Sequence, residues 1–156
     1  MSERVRNALF NSIGGAVQGA TVLDAFAGTG ALGLEALSRG AVQAVFVERD
    51  HIAQKILAKN ITSLGVENQA ALVRTSVHNW LETNKASQFD IIFADPPYHD
   101  PQFSTVSELF GLLKPEGLMV LSHPGRGEEP TKAGVVVVDN RSYGNAFLTF
   151  YRREDV

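Results

Sequence analysis

Val22-Leu23-Asp24-Ala25-Phe26-Ala27-Gly28-Thr29-Gly30-Ala31-Leu32-Gly33 reads as strand, turn and helix in a single sweep. The apolar run predicts a strand over residues 21–26, and the next periodic stretch predicts a helix over 31–39, stopped by Gly40. Gly28, Gly30 and Gly33 spell the Gly-x-Gly-x-x-Gly spacing of nucleotide-binding folds in the strand–helix context that the spacing requires. Glycines at such a turn let the backbone approach a ligand closely and let the helix pack tightly on its strand. One such unit already points to an α/β protein.

Outward from this unit the pattern repeats. Residues 2–13 read as an opening helix with Ser2 as N-cap, a stripe of Val5, Leu9 and Ile13, and a stop at Gly14-Gly15. A strand over 42–47 leads into a helix over 51–64 closed by Gly65, and a third strand over 70–74 precedes a short helix over 77–83. A fourth strand over 89–94 is followed by a helix over 103–113. Lys114-Pro115-Glu116-Gly117 has the composition of a β-turn and feeds a fifth strand over 118–121. The tail changes character: strands over 134–139 and 146–151, joined through 140–145, form an antiparallel hairpin. Alternating β and α units imply a mostly parallel sheet with helices on both faces, a three-layer Rossmann-like sandwich. No repeat or linker divides the chain, so residues 1–156 form one domain. Ligands of such sheets lie beyond the carboxyl ends of the strands.

Which ligand is decided by charge. A pyrophosphate favours bare amides at a helix N-terminus, whereas here Asp24 lies four residues before the first glycine. A carboxylate there repels phosphate but accepts hydrogen bonds from an ammonium group or a water. Glu48, closing the second strand, is placed to take a ribose diol and fits either a nicotinamide cofactor or S-adenosylmethionine; Asp24 tilts the choice to the latter. Ser76 and Val77, at the end of the third strand, are expected to frame the adenine. Phe26 and Arg49, beside the first two strand ends, complete the set expected to face the cofactor.

The second informative stretch is Asp95-Pro96-Pro97-Tyr98, following the apolar run Phe89-Asp90-Ile91-Ile92-Phe93-Ala94. Two prolines fix φ near −65° and remove two backbone donors, and the first pushes Asp95 into an extended conformation. What remains is a stiff turn with free carbonyls, one acidic acceptor and one aromatic face. It suits a flat substrate carrying an amino group; alone, it is equally a tight loop after a buried strand.

Composition bounds the rest. A 156-residue chain with 44% hydrophobic residues and a mean hydropathy of −0.03 is ordinary for a soluble domain and buries a core without disulfides. With no cysteine, thiolate catalysis is excluded, and His51, His78, His99 and His123 show no zinc spacing, so no metal is expected. Met1-Ser2-Glu3-Arg4 lacks a signal-peptide core, and no apolar run approaches the ~20 residues of a membrane span. A cytoplasmic monomer is the expectation. A net charge of −3 argues against a wholesale nucleic-acid coat but allows a local basic patch.

Taken together these residues resemble a class I methyltransferase, and more narrowly the RsmD family, which methylates the exocyclic N2 of a guanine in small-subunit ribosomal RNA. The resemblance runs over nearly the whole chain. It includes Glu3-Arg4-Val5-Arg6-Asn7-Ala8-Leu9-Phe10-Asn11, Asp24 to Gly40, Val47-Glu48, Asp95-Pro96-Pro97-Tyr98 and Arg141-Ser142-Tyr143-Gly144. There are departures. The basic N-terminal arm and Arg-Pro-Thr segment usual in the family are missing, so either the chain is a shortened form or it lacks part of the usual RNA grip. Asn7 stands where an acid is common, Ser76 replaces an acidic or amide residue, and Ser122-His123-Pro124 stands where a glutamate often follows the fifth strand.

The resemblance implies S-adenosylmethionine as cofactor and ribosomal RNA, or the small ribosomal subunit, as partner. It also implies that Asp95 accepts one N–H of the target amine, that the Pro96 carbonyl accepts the other, that Pro97 stiffens the turn and that Tyr98 stacks on the base. Arg4 and Arg6 on the opening helix are expected to contact RNA phosphates, with a solvated helix face as the alternative. Arg126, Lys132 and Arg141 are too scattered in sequence to define a patch, and Trp80 is expected in the core. Three other readings stand beside this one. A methyltransferase acting on adenine N6 or another planar amine uses the same clamp; a nicotinamide oxidoreductase uses the same glycine spacing; and a silent RNA-binding module needs no cofactor.

Overall fold

The computed structural model describes residues 1–125 and 129–154. Helix α1 (Glu3–Ile13) starts where Ser2 Oγ accepts the Val5 amide at 3.2 Å, and it buries Val5, Leu9, Phe10 and Ile13. Gly14 does not end the turn outright: a 3-10 segment, Gly14–Val17, carries the chain on and buries Val17. Strand β1 (Thr21–Asp24) leads to α2 (Ala31–Ser38), β2 (Gln43–Val47), α3 (His51–Ser63), β3 (Ala70–Val73) and α4 (Val77–Glu82). Then follow β4 (Phe89–Ala94), α5 (Phe103–Leu109), β5 (Leu113–His123), β6 (Val135–Tyr143) and β7 (Ala146–Arg153).

These strands form one seven-stranded sheet in the order β3-β2-β1-β4-β5-β7-β6. The first five are mutually parallel, and β7 runs antiparallel to both β5 and β6. The connections run outward from β1 to β3 and then return to β4 on its other side. The carboxyl ends of β1 and β4 therefore flank a topological switch point, where connections leave in opposite directions and open a crevice.

Two apolar layers hold the sandwich. On one face Leu9 and Phe10 of α1, Leu34 of α2 and Leu57 of α3 cover Phe46, Phe93 and Val120. On the other, Trp80 of α4 and Val106 and Leu109 of α5 cover Leu23, Ile92 and Leu121. Alternation along β4 sends Ile91 and Phe93 to the first layer and Ile92 and Ala94 to the second, as period-two side-chain geometry requires. Phe10 meets Phe93 with ring centroids 5.5 Å apart, and Trp80 meets Phe89 at 6.3 Å, which puts Trp80 in the core as expected. Burying each large side chain contributes roughly 1.5–3 kcal/mol.

Several boundaries differ from the sequence reading. β1 ends at Asp24 rather than residue 26, because Ala25 and Ala27 turn their amides to Phe93 and Val47 as the chain leaves the ladder. α5 stops at Leu109 and tightens into a 3-10 turn, Phe110–Leu112. β5 begins at Leu113, so the expected Lys114-Pro115-Glu116-Gly117 turn is a bulge inside the strand. Pairing to β4 jumps from Phe89↔Leu113 to Ile91↔Leu118, and Glu116 takes φ +66°. β6 runs to Tyr143, and Tyr143 pairs with Ala146, leaving Gly144-Asn145 as a two-residue turn where a six-residue loop was expected. Among the described residues no helix is long and apolar enough to cross a membrane.

Candidate active site

At the switch point lies a cleft of about 520 Å³ lined by Phe26 and Gly28 after β1, Glu48 and Arg49 after β2, and Thr75, Ser76 and Val77 after β3. Asp95-Pro96-Pro97-Tyr98 after β4, with Gln102, forms the opposite wall. Ten of the residues singled out in the sequence thus share one cavity, each arriving from the carboxyl end of a parallel strand.

The glycine loop shows how local chemistry shapes the floor. Gly30 takes φ +90° as the N-cap of α2, and a Cβ there would come 2.2 Å from Leu57 Cδ1. A Cβ on Gly33 would come 2.3 Å from Phe46 Cε1. Gly33 lets α2 pack closely on β2 and Gly30 lets the turn pack closely on α3, and neither lines the cleft. Gly28 does, and its amide donates to Glu48 Oε1 at 2.8 Å, while the Asp50 amide donates to Oε2 at 2.8 Å. Glu48 is thereby held rigid, with lone pairs left over on both oxygens. Ser76 caps α4 by accepting the Asn79 amide at 3.1 Å.

Asp24 is only 1% exposed and lies behind the loop, where its Oδ2 accepts the Gly33 amide at 2.9 Å. Burial pushes its carboxyl up to about 8; the Gly33 hydrogen bond opposes that, and the neighbouring Asp95 and Glu48 charges add to it. Asp95 is also raised, chiefly by burial, with the Met1 ammonium 3.7 Å from its Oδ2 and the Ser122 hydroxyl acting in the opposite direction. Three carboxyl groups around one low-dielectric crevice disfavour an anion and favour a bound cation. That charge pattern fits a ligand carrying an ammonium and a sulfonium, with a diol opposite the fixed Glu48, and does not fit a pyrophosphate.

Beyond the clamp, Tyr98 is 40% exposed, its ring available on one side, while its hydroxyl is 2.9 Å from Ser122 Oγ. Ser122 is a contact of the clamp that residue-by-residue reading missed. Its signal is a hydroxyl ending the apolar run Leu118-Met119-Val120-Leu121, just as Asp95 ends β4. Thr75 and Gln102 were also missed. Gln102 has φ +47°, a conformation that sequence pattern does not show.

Other singled-out residues lie elsewhere. Arg4 is exposed, and Arg6 has its Nε 3.9 Å from Glu35 Oε1; neither lines the cleft. His123 is buried on the opposite face of β5, its Nε2 2.8 Å from Thr149 Oγ1, and its Nδ1 accepts the Gly125 amide at 3.1 Å. Arg141 pairs with Asp139 at 2.8 Å on β6. Arg126 lies outside the described residues.

Comparison with known proteins agrees with this geometry. A family model described as conserved hypothetical protein 95 matches residues 1–152. The chain is 31% identical over 158 residues to Bacillus subtilis YlbH, covering 97% of this chain and 86% of that protein. It is 38% identical over 116 residues to ribosomal RNA small subunit methyltransferase D of Escherichia coli K12, a match covering 74% of this chain and 56% of that one. The chain thus spans about half the length of that relative. The solved structure of Escherichia coli yhhF superposes with a TM-score of 0.91 at 31% identity, over 99% of this chain and 89% of that one. The chain belongs to the conserved hypothetical protein 95 family, the RsmD family of ribosomal RNA methyltransferases.

Proposed function

We propose that this protein methylates the exocyclic N2 amine of a guanine in small-subunit ribosomal RNA. The observation that supports it most is the placement of Asp95-Pro96-Pro97-Tyr98 across the cleft from Glu48 and Gly28, so that acceptor, aromatic face and cofactor wall converge. When bound, S-adenosylmethionine supplies an electrophilic methyl carbon on a sulfonium. Glu48 takes the ribose diol, Ser76 and Val77 flank the adenine, Phe26 and Arg49 close the cleft beside Gly28, and the carboxyl groups of Asp24 and Asp95 offset the positive charge.

The amine of guanine is a weak nucleophile because its lone pair is delocalised into the ring. Asp95 accepts one N–H and the Pro96 carbonyl the other, which frees the lone pair towards the methyl carbon. Pro97 holds that carbonyl in place, and Tyr98 stacks on the base. Alignment of two bound reactants lowers the barrier by several kcal/mol, up to ~7–11 in ideal cases. The base must first leave its stack, and unstacked bases on RNA are commonly held by aromatic side chains. Arg4 and Arg6 offer phosphate contacts on the flank of α1.

The test is transfer of radiolabelled methyl from S-adenosylmethionine to unmethylated ribosomal RNA, both free and as an assembled particle, followed by nucleoside analysis. Label in N2-methylguanosine is the expected outcome. Label in N6-methyladenosine moves the target to the adenine amine, and absence of label in any nucleoside refutes an RNA substrate. Asp95→Ala is expected to abolish transfer while leaving cofactor affinity within a few-fold by calorimetry.

A further inference from the structure

We propose that Ser122 is a positioning residue of this site: its hydroxyl, at the end of β5, tethers the Tyr98 ring beside the Asp95 carboxylate and so sets the plane in which the target base lies. The inference deepens the methyl-transfer reading and rests on it for its kinetic consequences.

Ser122 is well placed for that role. Ala94 pairs with Leu121 across β4 and β5, so Asp95 and Ser122 are the next residues along two adjacent parallel strands. Ser122 also pairs with Leu148 of β7, which holds its backbone from the other side. It is 2% exposed, above the apolar layer containing Val120 and Leu148. A serine hydroxyl there has one donor and two acceptor lone pairs. Tyr98 Oη lies 2.9 Å away, and the Ser122 hydroxyl is near enough to Asp95 to lower the pKa of its carboxyl. Either hydroxyl can donate in the Tyr98–Ser122 pair, and towards an ionised carboxylate a serine hydroxyl can act only as donor.

Among the described residues, Ser122 supplies the hydrogen bond that the Tyr98 side chain makes. With the hydroxyl fixed, a base laid on the ring meets Asp95 at a set angle. The other charged groups facing Asp95 are the Met1 ammonium and the buried Asp24 carboxyl. His123 does not compete, since it points to the opposite face and is bonded to Thr149 and Gly125.

The experiment compares Ser122→Ala, Ser122→Thr and Tyr98→Phe with the wild type in methyl transfer to ribosomal RNA as a function of pH. A lost hydrogen bond of this kind corresponds to roughly a two- to tenfold change in an equilibrium. Ser122→Ala is expected to raise KM for RNA by that factor without changing cofactor affinity, and to move the acidic limb of kcat to higher pH. That sign follows because the Ser122 hydroxyl lowers the Asp95 pKa and its removal raises it. Tyr98→Phe reproduces the KM rise but not the pH shift, the double variant is no worse in KM than either single one, and Ser122→Thr restores both. Additive KM effects, or wild-type KM and pH profile in Ser122→Ala, overturn the inference.

A readout without turnover separates its failure from failure of the function. With ring-labelled tyrosine, the Tyr98 resonance is one of three. It is expected to shift and broaden in Ser122→Ala with no substrate present; an unchanged Tyr98 ring signal shows that no tether exists, whichever nucleotide is methylated.

Discussion

Asp24, Glu48 and Asp95 are three acids with three different tasks, and what separates them is the partner each finds. Glu48 accepts one amide on each oxygen, from Gly28 and Asp50, which fixes its orientation before any ligand arrives. Removing it costs the loop anchor and the proposed diol contact, so Glu48→Ala should weaken S-adenosylmethionine binding roughly tenfold or more, as loss of charged hydrogen bonds does; calorimetry reads it. Asp95 faces the substrate side and is held above the ordinary carboxylate range by burial. In the proposed mechanism its ionised form is the better acceptor of the amine N–H, so the transfer rate should fall on its acidic limb at a pH above that of a free carboxyl group, and a pH profile of single-turnover rates checks this. The identities of these acids were legible from their positions at strand ends. Their inequality was not, because burial and amide contacts arise only when β1, β2 and β4 lie side by side.

At the scale of elements, the β1–loop–α2 unit was readable from its glycine spacing, while the reason for two of the three glycines was not. Gly30 and Gly33 answer to Leu57 and Phe46, side chains from α3 and β2 that are remote in sequence. Gly33→Ala should therefore destabilise the fold by about 1–3 kcal/mol through overpacking, despite the better helix propensity of alanine. Trimming the obstructing ring with Phe46→Leu in the same chain should recover part of the loss relative to the sum of the two single changes, because contacting residues couple. Thermal or denaturant unfolding measures both. The strands longer than expected, β5 and β6, share one cause. Lys114-Pro115-Glu116-Gly117 has every local feature of a turn, yet pairing with β4 resumes after it, and the ladder absorbs it as a bulge. Likewise Asn140 to Tyr143 have loop-like composition, and β7 draws them into the sheet.

For the whole molecule, the buried Asp24 makes stability depend on pH in an unusual direction. Its folded-state pKa of about 8 exceeds the unfolded value, so the folded protein holds the extra proton between those limits. The associated stability is fully present below the unfolded pKa and is lost as pH rises through about 8. Between pH 5 and 8 the loss amounts to about 3–4 kcal/mol, several degrees in Tm. Asp24→Asn, which keeps an acceptor for the Gly33 amide, should flatten the dependence; a Tm that does not fall with pH in the wild type would refute it. Cofactor binding near pH 7 should release protons, since a cation favours the ionised carboxyl groups, and calorimetry in buffers of different ionisation enthalpy reads that release. The sequence by itself determined the α/β class, the order of the elements, the glycine loop and the stiff Asp95-Pro96-Pro97-Tyr98 turn, because periodicity, proline and glycine act over a few bonds. Only the tertiary structure decided that Asp24 lies behind the cleft rather than in it, that Arg4 and Arg6 stand outside it, and that Ser122 meets Tyr98. Each of those depends on burial and on contacts between strands separated by tens of residues, quantities that exist only once the sheet has closed.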